Sequence, residues 1–179
     1  HFLEFGIKEG RRAHPTFDLK CYLSENPDLK SAFGTDYVKG MKHYIEFGHK
    51  EIRVTAPNVD LGHNFVAKIG SVHASGKNLS LDDNNVILYT KSKAPAQAWR
   101  FSRQSDGSYK LINQKNGYVL EVASSASGAN VQIAESDNTS DQRWFIYLKE
   151  GHYIFRPASS KNYVLKTCDD GTDPLTRLN

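Results

Sequence analysis

Tyr109–Trp144 reads YKLINQKNGYVLEVASSASGANVQIAESDNTSDQRW, and nearly every feature of it recurs about 45 residues earlier or later in the 179-residue chain. Gln142 and Trp144 have copies at Gln97 and Trp99. Tyr109 and Leu111 after Gly107 are echoed by Tyr153 and Phe155 after Gly151, and Tyr118-Val119-Leu120 returns as Tyr163-Val164-Leu165. Three copies of one unit therefore run from about residue 64 onward, and a unit of this size usually cannot bury its apolar face alone. Within each copy the apolar residues come in short runs, such as Tyr109-Lys110-Leu111, bounded by Gly, Asn, Asp and Ser, which is the pattern of hairpins and not of helices. Roughly four short strands per unit, taken three times, close most economically as a barrel whose edges pair with one another.

With its Gln-x-Trp at Gln97–Trp99 and again at Gln142–Trp144, the repeat region resembles the ricin-type β-trefoil, whose hallmark is one such motif per repeat. The resemblance implies an all-β, pseudo-threefold trefoil over 64–179, with units at 64–104, 107–149 and 151–179. The indole of each motif would fill the shared core, and the Gln amide would tie a strand end to a neighbouring loop. The third unit is expected to be incomplete. If Leu175 matches Val131, its own Gln-x-Trp falls beyond Asn179, so the final hairpin is missing.

Ahead of the trefoil lies a different repeat. His1–Arg11 matches His43–Arg53 at seven of eleven positions, so residues 1–11 are read as the tail of one unit and 12–53 as a complete one. A chain that opens and closes in mid-repeat is expected to be a fragment. The complete unit reads as a small all-α module. A short helix is expected over Asp18–Ser24; Asn26 caps a second with Pro27 at its first position and Gly34 at its end. Thr35 or Asp36 opens a third, with Tyr37, Met41, Tyr44 and Ile45 on one face and Gly48 as its stop. The module resembles short helical repeats of large bacterial extracellular and surface proteins. His43 and His49 straddle a helix end without a third ligand, so packing or capping roles are expected and no metal. Residues 54–63, with Pro57, Asn58 and Gly62, have the composition of a linker.

Composition narrows the function. No run of 18 apolar residues is present, so no segment is expected to insert in a membrane as a helix. Cys21 and Cys168 lie in different modules, which excludes a disulfide framework as the stabilising device. The net charge is +3, from 23 Lys and Arg against 20 Asp and Glu, and the excess sits in the repeat region without a basic cluster alternating with aromatics. Nucleic acid is therefore not an expected partner. No Gly-x-Ser-x-Gly, His-Glu-x-x-His or phosphate loop is found; no catalytic residue, metal or cofactor is expected.

In sugar-binding trefoils of this type a competent repeat presents an acidic residue in its Leu-x-Val strand, an aromatic ring shortly after its Val-x-Leu strand, and a polar residue just before the Gln of Gln-x-Trp. The carboxylate accepts hydroxyl hydrogen bonds and the ring stacks on the C–H face of the sugar. Carried over by position, the second unit offers Glu121 as the acid, Gln132 on the strand, and Asp141 before Gln142, with Ala134 where the ring belongs. The first unit offers Tyr89 as the ring, but Ser80 stands in the acidic place, Asp82 and Asp83 lie just beyond, and Ala96 precedes Gln97. The third has Lys166 there. No unit carries the full set. The resemblance implies a non-catalytic carbohydrate-binding module, extracellular or on the cell surface, that holds its parent protein on glycans, galactose- or xylose-type sugars among them. Its rivals are a structural or protein-binding trefoil with decayed sites, and the targeting appendage of a glycoside hydrolase or protease.

Overall fold

The structure, a computed structural model, describes residues 5–12 and 14–166 and the backbone of 167 and of 176–178. The chain divides into two units, one of His1–Val59 with Tyr147–Ile154, the other of Asp60–Ile146 with Phe155–Asn179.

The first unit is helical because its caps and apolar spacing agree. Helices α1 (Leu19–Glu25), α2 (Pro27–Phe33) and α3 (Tyr37–His43) follow one another with single-residue or short breaks. Asp18 caps α1 by accepting the Cys21 amide at 3.0 Å, and Asp36 caps α3 by accepting that of Lys39 at 3.1 Å. Asn26 precedes α2 but does not cap it with its side chain. Instead its buried amide donates to the Tyr22 and Val54 carbonyls at 2.7 and 2.8 Å, and Val54, Thr55 and Ala56, the start of the stretch with linker composition, are buried. Satisfying two otherwise orphaned carbonyls outweighs one N-cap bond.

Phe17, Leu19, Tyr22, Leu23 and Leu29 form the helical core, with Ile7, Phe33, Tyr37, Met41 and Tyr44 packed against it. After α3 the chain widens into a single π turn over Tyr44–Gly48, where the His49 amide reaches back to the Tyr44 carbonyl at 3.0 Å. That change of pitch leaves Ile45 63% exposed, not on the inner face the sequence spacing indicates. Two glycines are required by contact. A Cβ at Gly40 would meet Leu23 at 2.8 Å, and one at Gly48 would sit 1.9 Å from the Tyr22 hydroxyl. His43 Nδ1 shares a 2.9 Å hydrogen bond with that hydroxyl, His49 Nδ1 is 3.2 Å from the Tyr44 carbonyl, and the His43 ring packs on Phe33 and Phe47. The end of this turn is closed by Lys149, whose ammonium donates to the carbonyls of Gly48, His49 and Glu51.

The second unit is built from strands, two of which continue into the segment Tyr147–Ile154 of the first. In chain order they are β1 (Phe65–Ala67), β2 (Lys77–Asp82), β3 (Asn85–Thr90), β4 (Trp99–Arg103), β5 (Tyr109–Asn113), β6 (Val119–Val122), β7 (Val131–Ala134), β8 (Trp144–Lys149), β9 (His152–Pro157), β10 (Leu165–Thr167) and β11 (Thr176–Leu178). β1, β4, β5, β8 and β9 pair successively into a barrel wall, while β2–β3, β6–β7 and β10–β11 are antiparallel hairpins. β3 meets β7 at Asn85 opposite Gln132, and β11 runs beside both. This threefold meeting of hairpins over a strand wall is the β-trefoil. The expected missing hairpin, Leu175, Cys168 and Asp169-Asp170 lie outside the described residues, as do His1–Glu4 of the tail at 1–11.

The two motif tryptophans are fully buried, and each does the same thing. Trp99 Nε1 donates to the Leu79 carbonyl at 3.2 Å and Trp144 Nε1 to that of Leu120 at 3.0 Å. Each ring removes about 150–250 Å² from water, about 4–6 kcal/mol of transfer free energy, while its one polar atom keeps a partner. These equivalent bonds put Leu79 and Leu120, hence Ser80 and Glu121, at matching places in the two repeats. No helix among the described residues is long and apolar enough to cross a membrane.

Candidate functional site

Alternation along a strand decides which side chains can meet. On β6, Val119, Leu120 and Val122 are buried and Glu121 stands half-exposed; on β7, Val131 and Ile133 are buried and Gln132 stands out. The register places Glu121 directly opposite Gln132, so their side chains share a face. Gln132 Nε2 donates to Glu121 Oε1 at 3.1 Å. From the one-turn helix Ser140–Gln142, Gln142 Nε2 donates to the other carboxylate oxygen, Oε2, at 2.8 Å. The carboxylate is thereby held from two sides, and each oxygen retains a lone pair for a further donor.

Gln142 has no freedom left. Its Nε2 also donates to the Glu135 carbonyl at 2.7 Å, and its Oε1 accepts the Asp137 amide at 3.1 Å. Gln97 repeats this in the first unit, donating to the Thr90 carbonyl at 2.8 Å and accepting from the Ser92 amide at 2.9 Å. What differs is the third partner. The Asn78 amide fills it at 3.2 Å, and Ser80, in the place of Glu121, presents no acid.

Asp141 lies half-buried beside Gln142 on the same one-turn helix, with no hydrogen-bond partner for its carboxylate among the described residues. Tyr89 is 60% exposed and stands opposite Asn78 in the β2–β3 hairpin, as Ala134 stands opposite Val119 in β6–β7. It is four residues along β3 from Asn85, the point where β3 meets β7, or about 13 Å of strand. Of the five residues picked from the sequence, the structure thus joins Glu121, Gln132 and Gln142 in one network, sets Asp141 next to it, and leaves Tyr89 on another repeat.

Pattern reading passed over the braces of this site. Lys110, on β5 between Tyr109 and Leu111, is 7% exposed, and its ammonium donates to Ser136 Oγ at 2.8 Å and to Asn138 Oδ1. It pins the loop whose Glu135 carbonyl and Asp137 amide receive Gln142. In the same loop the Thr139 amide, 2.9 Å from Asp137 Oδ1, holds the Asp137 carboxyl below the usual carboxylate range. The one sequence hint is that Asn138 sits at φ 65°, a conformation that Asn adopts more readily than most residues.

The model of the family described as ricin-type beta-trefoil lectin domain-like matches residues 62–134 and again 95–179, together well over half of the chain. The chain belongs to that family. Among solved structures, its ricin-type trefoil is similar to the designed threefold-symmetric protein ThreeFoil, at 27% identity and TM-score 0.54, over 64% of this chain and 85% of that one. It is similar in fold to the Macrolepiota procera ricin B-like lectin in complex with lactose, with 19% identity, TM-score 0.58, and 68% and 89% of the two chains covered. The same holds for the Polyporus squamosus lectin bound to the epitope Neu5Aca2-6Galb1-4GlcNAc, at 14% identity and TM-score 0.60, where 66% of this chain spans 45% of that one. No curated protein sequence matches. Family and fold neighbours together support a carbohydrate-binding role for the ricin-type trefoil.

Proposed function

We propose that this chain is a non-catalytic carbohydrate-binding module that holds a secreted or surface protein on glycans, and that its second repeat is the working site. One observation carries the proposal: the half-exposed Glu121 carboxylate is fixed by two side-chain amides, Gln132 on one oxygen and Gln142 on the other, with acceptor capacity left on both. A carboxylate so oriented accepts a pair of vicinal hydroxyls with little loss of rotamer entropy. Gln132 offers its amide from the same face, and Asp141 precedes Gln142 on its one-turn helix. Galactose- or xylose-type sugars are the ligands this pattern suits, and the lactose of the Macrolepiota complex agrees with it. Without a ring at Ala134 the site is shallow, so affinity per site is low and strength comes from several sites or chains together. An extracellular or cell-surface setting follows from the same reading.

The rival is a scaffold trefoil, favoured by the fact that both Glu121 oxygens already have partners inside the protein. Titrating isotope-labelled chain with galactose, lactose, xylose and xylan oligosaccharides distinguishes the two. Saturable amide shifts at Glu121, Gln132 and Asp141, lost in Glu121→Ala while spectral dispersion is retained, are expected; a well-dispersed spectrum that no sugar moves would establish the scaffold.

A further inference from the structure

The two complete repeats present opposite charge at the same place. The loop after β7, which receives Gln142, carries Glu135 and Asp137, and Asp141 follows it; the loop after β3, which receives Gln97, carries Lys91 and Lys93. A third ammonium is drawn to the latter, because Lys68 Nζ donates to the Ser92 carbonyl. None of Lys68, Lys91 and Lys93 forms an ion pair among the described residues, and all three are exposed. The acids of this hairpin, Asp82 and Asp83, stand at its tip, four residues or about 13 Å along β2 from the strand position opposite Tyr89.

Tyr89 precedes these lysines by two and four residues, and 60% of its surface is open to solvent. The exposed ring and three ammonium groups that pair with no acid among the described residues thus belong to one repeat. Together they match a ligand with an apolar face and a negative substituent. From this we infer that the first repeat binds an anionic sugar, one bearing a uronic carboxylate or a sulfate ester. The pyranose C–H face stacks on Tyr89, and Lys91, Lys93 and Lys68 receive the anion as point charges. Ser80 and Asn78 are buried and uncharged, so no acid stands in the first repeat where Glu121 in the second would repel this ligand. A single ring offers no row of platforms for successive bases, so single-stranded nucleic acid fits less well. The inference rests on the reading of the trefoil as a sugar-binding fold, but not on Glu121.

The test is an NMR titration of the whole chain with three disaccharide probes, one neutral, one containing glucuronate and one O-sulfated, at 150 mM salt. Saturable shifts over Tyr89–Ala94 with the charged probes and not the neutral one are expected, with affinity falling at least tenfold in Tyr89→Ala and again in Lys91→Ala/Lys93→Ala. Which charged probe binds more tightly separates carboxylate from sulfate recognition. Shifts that survive Tyr89→Ala would mean counter-ion attraction only and overturn the inference, as would the absence of shifts or tighter binding of a short oligonucleotide. If neutral sugars move Glu121 while charged ones leave Tyr89 still, this inference fails and the proposed function stands; the reverse result sinks the second-repeat site alone.

Discussion

Gln142 Nε2 lies 2.8 Å from Glu121 Oε2, so the residue that defines the repeat motif is hydrogen-bonded to the carboxylate on which the proposed sugar site rests. One amide thus joins the scaffold, through Glu135 and Asp137, to the site.

Replacing it by the near-isosteric leucine should therefore show on both. Gln142→Leu strands the Glu135 carbonyl and the Asp137 amide, a loss of about 2–4 kcal/mol in urea unfolding, and frees Glu121 to rotate, removing the sugar-induced shifts of the second repeat. Gln97→Leu should cost a similar amount of stability and leave those shifts intact. Equal loss of binding in both variants would show that Gln142 acts through general stability only.

Trp144→Phe keeps most of the apolar volume but removes the donor to the Leu120 carbonyl. A loss of about 1–3 kcal/mol is expected, against about 3–5 kcal/mol for Trp144→Ala, with Trp99 behaving alike. Equilibrium denaturation of the four variants checks the order, and a Phe variant as stable as the parent would contradict the assigned role of the indole N–H.

In the helical unit, Gly48→Ala sets a methyl 1.9 Å from the Tyr22 hydroxyl. About 1–3 kcal/mol of overpacking is expected, and Tyr22→Phe in the same chain should recover part of it by removing the obstructing oxygen. A double-mutant cycle by thermal unfolding measures the coupling; additive effects would place the strain elsewhere.

Acid should loosen this unit in a defined way. The hydrogen bond from Arg53, with its charge, holds the Asp28 carboxyl below its ordinary value of 3.8. A folded-state value lowered in this way contributes stability that is present above about pH 4 and is lost as pH falls through the folded value. Asp28→Asn should lower stability modestly in the neutral region, where the charged pair contributes, and flatten the fall below about pH 4 so that variant and parent converge in acid, read from urea midpoints across pH.

Lys110→Met retains the buried stem and deletes the ammonium that holds Ser136 and Asn138. Faster hydrogen exchange confined to residues 136–139, a several-fold weaker response of the second repeat to sugar, and an unchanged unfolding cooperativity are expected. Unaltered exchange in that loop would remove Lys110 from the support of the site.

The sequence by itself determined the trefoil. Gln-x-Trp recurring at Gln97 and Gln142, with Tyr, Leu and Val echoes in register, suffices because the same core must be filled from each repeat and only matching residues can do so. It also determined the helices, since Asp18, Asp36, Pro27 and Gly34 act on neighbours a few residues away. Glu121 with Gln132 was legible from position within the repeat. Whether these residues meet depended on strand register and on a side chain returning from residue 142, which are contacts across the chain. The same is true of Asn26, which leaves its helix to hold Val54, of Lys110, a charge buried where alternation indicates an outward face, and of Ile45, turned out by a π turn that no local pattern announces. In each case a buried polar group or a change of pitch is settled by its distant partners, and it is their free energy, not local propensity, that only the tertiary structure supplies.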